Sequence, residues 1–373
     1  MVKEELQSEV EKLPKVPYEA AAEYDRQAEA LIGEVNSLLS MRDDINELIG
    51  GNPLSAMETN HENHATFMVN VFKLNDFNIL IQTVPWVYRS YSSRGFSFDY
   101  FPVALRAWIR AVERHIRADL ANPVVQVYKW LLDKHETMID ISKQPSSFSV
   151  SLEKPWNDIQ SKFLSALLQG DHRQCLKLAE SSVLSRQDLQ DFYLKVMQPS
   201  MYKIGDQWET GQISVAHEHL ASAIVSRVMA SLYPRFITVE QTKGKAVITA
   251  CPNEYHEMGA RMIADFLELE GWNVRYLGAN VPAEELVSLL IEEKPYLLGI
   301  SVVMPFNIDK AVDLIEKVKS NARFTDIKIL VGGKIFTENK DLWKRTGADD
   351  WAPDGRSAIA KASNLWEMVE NES

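Results

Sequence analysis

Two rhythms of hydrophobic and polar positions divide this chain. As far as about residue 235, apolar side chains recur every three or four positions, the spacing that lays one apolar stripe along a helix; beyond about residue 243, short continuous apolar runs alternate with such stripes. The second rhythm predicts buried strands at Ala246 to Ala250, Asn273 to Tyr276, Leu297 to Val303 and Ile327 to Val331. Helices are predicted over Met258 to Leu269 and starting at Ala283, Ile308 and Ser357. Strands that alternate with helices imply a doubly wound parallel sheet, an α/β fold.

The first rhythm predicts only helices. Residues 1 to about 17, charged and proline-bearing, read as a loose lead-in. Helix then runs to about Ser142, with breaks at Gly50-Gly51-Asn52-Pro53, Asn75-Asp76, Ser92-Ser93-Arg94-Gly95 and Asn122-Pro123. Lys143 to Ser149 has linker composition, and Trp156 to Tyr233 holds four or five further helical segments. The expected domains are therefore an all-helical 1–143, a helical bundle over 153–235 and the α/β domain over 243–373.

Composition narrows the function. A net charge of −12 argues against a general grip on nucleic acid, which needs clustered Lys and Arg. Two cysteines, Cys175 and Cys251, make no disulfide framework and suit a reducing cytoplasm. The start lacks the apolar core of a secretory leader, and no apolar run approaches the ~20 residues of a membrane span. A cytoplasmic protein without membrane partners is the expectation.

The chemistry centres on Glu254-Tyr255-His256-Glu257-Met258-Gly259, which falls between a predicted strand and a predicted helix. Open α/β sheets bind ligands at such turns. A lone histidine there most often serves structure, but two further marks face the same way: Ser301, 42 residues beyond Gly259, near the end of one strand, and Gly332-Gly333 after the next. A metal-bound cofactor needs a neutral imidazole nitrogen, and a carboxylate two residues away can fix the ring and its tautomer. A serine hydroxyl at a strand end can bond a ligand, and glycines let that ligand approach the backbone. With these marks the chain resembles the cobalamin-binding domain family, whose pattern is Asp-x-His-x-x-Gly, then Ser-x-Leu, then Gly-Gly. The resemblance implies that His256 is the lower axial cobalt ligand. Glu254 stands where the family has Asp, and Val303 where it has Leu.

A second constellation lies in Gly205 to Ser222. Trp208 precedes a turn at Gly211, and Glu218-His219 opens the next helix. Taken alone, these are a core aromatic and a solvated helix start. The stretch resembles the cap of adenosylcobalamin-dependent photoreceptors, which include light-sensing transcriptional repressors. That resemblance implies that Trp208 packs on the adenosyl group, Glu218 bonds its ribose and His219 assists. The repressors often carry a histidine directly after the tryptophan; Glu209 stands there in this chain.

In the first domain, His61 and His64 lie on an amphipathic stretch, and Trp86, Tyr88, Arg89, Tyr91 and Arg94 close a helix. Tyr100 to Leu120 reads as one long helix carrying Arg106 and Arg110. Such patterns ordinarily make core and solvated face. By length, helix order and the Trp86 to Gly95 stretch, this domain is similar to the globin-like module of photocobilins, which pair cobalamin with biliverdin. The resemblance implies an apolar slot for the bilin, with the arginines as cations for its propionates. No cysteine precedes Cys175, so a bilin here would be held noncovalently.

The implied function is that of a photoreceptor rather than an enzyme. Photolysis of the cobalt–carbon bond would move the cap and change the oligomeric state, or signal to a partner protein. The main alternative is a corrinoid protein that carries a methyl group between methyltransferases. An adenosyl-dependent mutase subunit is weaker, because no catalytic barrel is visible.

Overall fold

The computed structural model describes residues 2–144, 153–236, 240–324 and 326–372; the linker reading from residue 145 onward lies outside them. Two compact units emerge, Met1–Ser146 with Glu209–Gly211, and Ser147–Trp208 with Gln212–Ser373.

Among the described residues the first unit is all helical. The expected lead-in contains a helix, Val2–Val10, because Leu6 and Val10 find buried partners. The chain breaks as expected around Gly50 and at Asn75, which adopts a left-handed conformation and ties down Val16 by exchanging two hydrogen bonds, 2.7 and 2.9 Å. Two helix boundaries differ from the pattern. Tyr100 to Leu120 is not one helix: Tyr100–His115 stops at the extended residue Ile116, and Ala118–Asp133 follows. That second helix runs straight through Asn122-Pro123, since Val124, Val125, Val127 and Tyr128 are all buried and their packing outweighs the hydrogen bond that proline removes.

The second unit joins a helical bundle to a parallel sheet. The bundle comprises Trp156–Leu168, His172–Ser182, Arg186–Phe192, a π-helical turn at Tyr193–Met197, Gln198–Glu209 and Val215–Leu232. The strands are β1 (Lys245–Ala250), β2 (Asn273–Gly278), β3 (Leu297–Ser301), β4 (Lys328–Gly332) and β5 (Asp350–Ala352), in the order β2-β1-β3-β4-β5. All pairings are parallel, so every strand ends on the same edge. β5 is absent from the sequence reading because three residues, two of them only half-buried, carry no apolar run.

Helix Met258–Leu269 is shared by two cores. Ala260, Ala264 and Leu267 pack with the sheet, while Met262, Phe266 and Leu269 belong to the core of the bundle. At this seam Tyr193 donates to Asp265 at 2.9 Å, Tyr233 donates to Glu268, and Arg261 donates to the Ser226 hydroxyl at 2.9 Å. Burial raises the Asp265 carboxyl to about 6 against the lowering effect of the Tyr193 hydrogen bond.

Candidate functional site

In a sheet of this order the chain winds in opposite directions from β1 and β3, leaving a crevice beyond their carboxyl ends. The His256 turn follows β1 and Ser301 ends β3, where it lies beside Ala250 of β1 and Gly332 of β4. The topology thus brings the three marks to one edge.

Within the turn, the two motif residues have opposite surroundings. The His256 side chain is 57% exposed and that of Glu254 is 0% exposed. Glu254 Oε1 accepts from the His256 backbone N–H at 3.1 Å and from its ring Nδ1 at 2.5 Å; Oε2 accepts from the N–H groups of Val303 at 3.0 Å and Met304 at 2.8 Å, and from Asn307 Nδ2 at 3.2 Å. Burial alone would raise this carboxyl, but the hydrogen bonds from the His256 ring and the Met304 backbone outweigh it and leave it at about 2. A carboxylate in this state makes Nδ1 the protonated ring nitrogen, so the lone pair sits on Nε2, available to a metal.

The longer Glu in place of Asp therefore keeps its partner in the His256 ring. Val303 contributes its backbone N–H to that arrangement, which its side-chain identity could not have announced.

The glycines differ in what surrounds them. Gly333 has φ 112°, and a Cβ there would come within 2.1 Å of the Val302 carbonyl oxygen, so no other residue fits. Gly259, in the first turn of helix Met258–Leu269, is the reverse case: a Cβ would meet nothing within 4 Å, leaving open space beside the histidine turn. A ring that offers Nε2 and open room beside its turn fit a metal-bearing cofactor such as a corrinoid.

On the bundle, Trp208 is half-buried near the end of Gln198–Glu209. Ser214 caps the next helix, and Glu218 accepts from Ser222 Oγ at 2.8 Å and from His219 Nδ1 at 2.5 Å. Around this pair Val215 and Leu220 are exposed apolar residues. Glu209 is buried within the first unit, where Arg89 donates to its carboxylate at 2.5 Å and the Ser93 hydroxyl to its carbonyl at 2.8 Å.

In the first unit the histidines and tyrosines converge, and the charge of Arg94 reaches Tyr91 among them. His61 binds Asn36 at 2.5 Å through Nδ1 and Tyr100 at 2.8 Å through Nε2; His64 Nε2 lies 3.1 Å from the Tyr128 hydroxyl. Ring contacts continue from His64 and His61 through Trp108 and Tyr100 to Tyr91, Phe101 and Tyr88. Burial lowers His61 to about 4; burial and then the charge of His61 lower His64 to about 3. Arg94 donates back to Ser90, Arg106 and Arg110 are exposed, and Trp86 is half-buried.

Two matches to B12 binding domains make this a corrinoid-binding protein. Residues 244–362 match the family described as B12 binding domain, and residues 159–233 match a second model of the same description. The chain is 24% identical over 207 residues to trimethylamine corrinoid protein 1 of Methanosarcina acetivorans, covering 55% of this chain and 95% of that protein. It is 29% identical over 163 residues to the HTH-type transcriptional repressor CarH of Myxococcus xanthus, covering 42% of this chain and 54% of the repressor. The monomethylamine corrinoid protein of Methanosarcina barkeri has the same fold over 56% of this chain and 99% of its own, with a TM-score of 0.50 and 21% identity. No helix among the described residues is long and apolar enough to cross a membrane.

Proposed function

We propose that this chain is a light sensor that binds adenosylcobalamin, with His256 as the lower axial ligand. The observation that carries this beyond corrinoid binding is the opening of helix Val215–Leu232, where the hydrogen-bonded Glu218–His219 pair stands among the exposed apolar residues Val215 and Leu220. Such a surface offers hydrogen bonds to a ribose and apolar cover to a base. When bound, adenosylcobalamin supplies a cobalt–carbon bond that visible light breaks.

The residues of the chain divide the remaining work. His256 would hold the metal through Nε2 with its ring held by Glu254, Ser301, Gly332 and Gly333 would receive the tail, and Trp208 would cover the adenosyl group. Trp208 would lose that cover on photolysis, and a change of self-association or of a partner's binding would follow in the bundle. The test is illumination of the full chain loaded with adenosylcobalamin. Its spectrum and its elution volume should both change under green light, and a spectrum unaltered by light would sink the sensor reading.

A second reading, a methyl carrier, is favoured by one finding: just over half of this chain matches nearly all of a corrinoid protein. A methyl group delivered to the reduced cofactor and passed on to a thiol acceptor by a methyltransferase would identify it. For the first unit we propose noncovalent biliverdin binding along the aromatic path that includes His61, His64 and Tyr91. Mixing with biliverdin should give a red-shifted band, and an additive spectrum would remove this part.

A further inference from the structure

The turn that follows Trp208 is fastened to helices of the first unit by groups that the corrinoid site does not use. Glu209–Gly211 belong to the first unit, although Trp208 before them and Gln212 after them belong to the second. Glu209 is 5% exposed; its carboxylate accepts from Arg89 Nη1 at 2.5 Å and its carbonyl from the Ser93 hydroxyl at 2.8 Å. Arg89 Nε also donates to the Ser142 carbonyl at 2.7 Å, so one guanidinium joins the turn, helix Asn78–Ser92 and the end of helix His135–Ser142. Gly211 is left-handed, at φ 71°, and a Cβ there would lie 3.0 Å from the Ser93 carbonyl oxygen, so a side chain would part the two backbones. The turn is also closed on itself. The N–H groups of Gln212 and Ile213 donate to the Gln207 carbonyl at 2.8 and 3.3 Å, folding the chain back over the end of helix Gln198–Glu209.

We propose that the Arg89–Glu209 ion pair is a latch, which couples the position of Trp208, and so the group bound on the upper face of the corrinoid, to helices Asn78–Ser92 and His135–Ser142. The proposal rests on the reading of Trp208 as cover for the adenosyl group.

The physical case follows from burial. A carboxylate and a guanidinium out of water are each costly alone, so the turn has two states, with the pair closed or with both partners rehydrated, and little between them. Burial disfavours the charged form of Arg94 and the Glu209 charge opposes this, so opening the pair disturbs a second guanidinium. One peptide bond separates Trp208 from Glu209. A group that holds Trp208 in place therefore favours the closed pair, and departure of that group withdraws the support. Linkage is reciprocal, so the closed pair favours the bound group in the same measure. Helix Asn78–Ser92 also carries Tyr88 and Tyr91, whose rings pack on Phe101, and the latch thus ends on the aromatic path of the first unit.

The experiment is hydrogen exchange of backbone amides, read by mass spectrometry on the full chain in the dark, without corrinoid, with cyanocobalamin and with adenosylcobalamin. In the wild type, adenosylcobalamin should slow exchange in peptides from Asn78–Ser92 and His135–Ser142 by about 5-fold or more, and cyanocobalamin by less than about 2-fold. Glu209→Gln, which keeps the shape and removes the charge, should bring the adenosylcobalamin effect below about 2-fold while the cofactor still binds with the wild-type spectrum. Arg89→Lys, which keeps a charge, should retain part of the effect. Equal exchange in these wild-type helices with and without bound adenosylcobalamin, or an undiminished effect in Glu209→Gln, would overturn the latch. If Glu209→Gln does not fold, Ser93→Ala, which loses the hydroxyl that holds the Glu209 carbonyl, decides by the same readout: a diminished effect supports the latch and an effect equal to the wild type's overturns it. Trp208→Ala tests the reading beneath. It should weaken adenosylcobalamin but not cyanocobalamin, and unchanged affinity for both would remove the reading of Trp208, and the latch with it.

Discussion

His61 and His256 are the same side chain used in opposite ways. His61 is almost wholly buried with both ring nitrogens bonded, to Asn36 and Tyr100. His256 is mostly exposed, with one nitrogen fixed by a carboxylate that is itself buried. In the first case folding satisfies the ring, and in the second it satisfies the ring's partner and leaves the ring unfinished. A histidine that folding completes keeps no ring nitrogen for a metal, whereas one that folding only aims keeps one. Sequence pattern does not separate them, since both lie near helices and beside polar residues.

The largest effect should come from removing the completed ring. His61→Ala leaves a cavity and strands Asn36 and Tyr100, at a cost of about 2–4 kcal/mol by urea unfolding, with cobalamin affinity unchanged. Acid should attack the same place. His61 and His64 sit at about 4 and about 3 in the folded protein, below their ordinary 6.5, so unfolding lets them take up protons. Stability is full above about pH 6.5 and falls as the pH drops toward 4; moving from pH 7 to pH 5 should cost about 2–4 kcal/mol. A chain equally stable at both values would mean that these rings are wetter than the fold implies.

Glu254→Ala should blur the contrast, because it touches both roles. It strands the Val303 and Met304 N–H groups, costing about 1–3 kcal/mol, and it frees the His256 ring. Asp265 sharpens the contrast from the carboxyl side. It is buried like Glu254, but here burial prevails over the Tyr193 hydrogen bond and the charge of Arg261 and raises it to about 6. Its folded pKa exceeds the unfolded one, so its contribution is full at low pH and is lost as the pH rises through 6. Asp265→Asn should therefore stabilise the protein at pH 8, and the gain should shrink by about 1 kcal/mol at pH 5. The smallest effect on stability belongs to His256→Ala, about 1 kcal/mol in the protein without corrinoid, since Glu254 keeps its backbone and Asn307 donors.

Much of the second unit was legible, and for a local reason. The strands β1 to β4 are apolar runs flanked by turn residues, and the helix Met258–Leu269 was predicted to the residue. The His256, Ser301 and Gly332 marks could be read because each sits at a strand end, where chain order alone brings them to one edge. Asn280 and Asn307 could not be read, since their hydrogen bonds to the His256 turn depend on loops meeting across the sheet. Asparagine in a loop ordinarily signals no more than a turn. The bond between Arg89 and Glu209 was equally invisible, with 120 residues between the partners. In the first unit the helix at Val2–Val10 was missed because charged residues surround the two apolar ones that anchor it, Leu6 and Val10.

The helix that begins two residues after His256 has no idle side. With Phe266 in one hydrophobic core and Leu267 in the other, it works as a common wall between two rooms. Substitutions on its two inward faces are felt in different rooms, yet both reach the doorway at its Met258 end, beside His256. A sequence drifting under selection for either core is thereby restrained by the other, and the setting of His256 is insulated from changes that would suit only one.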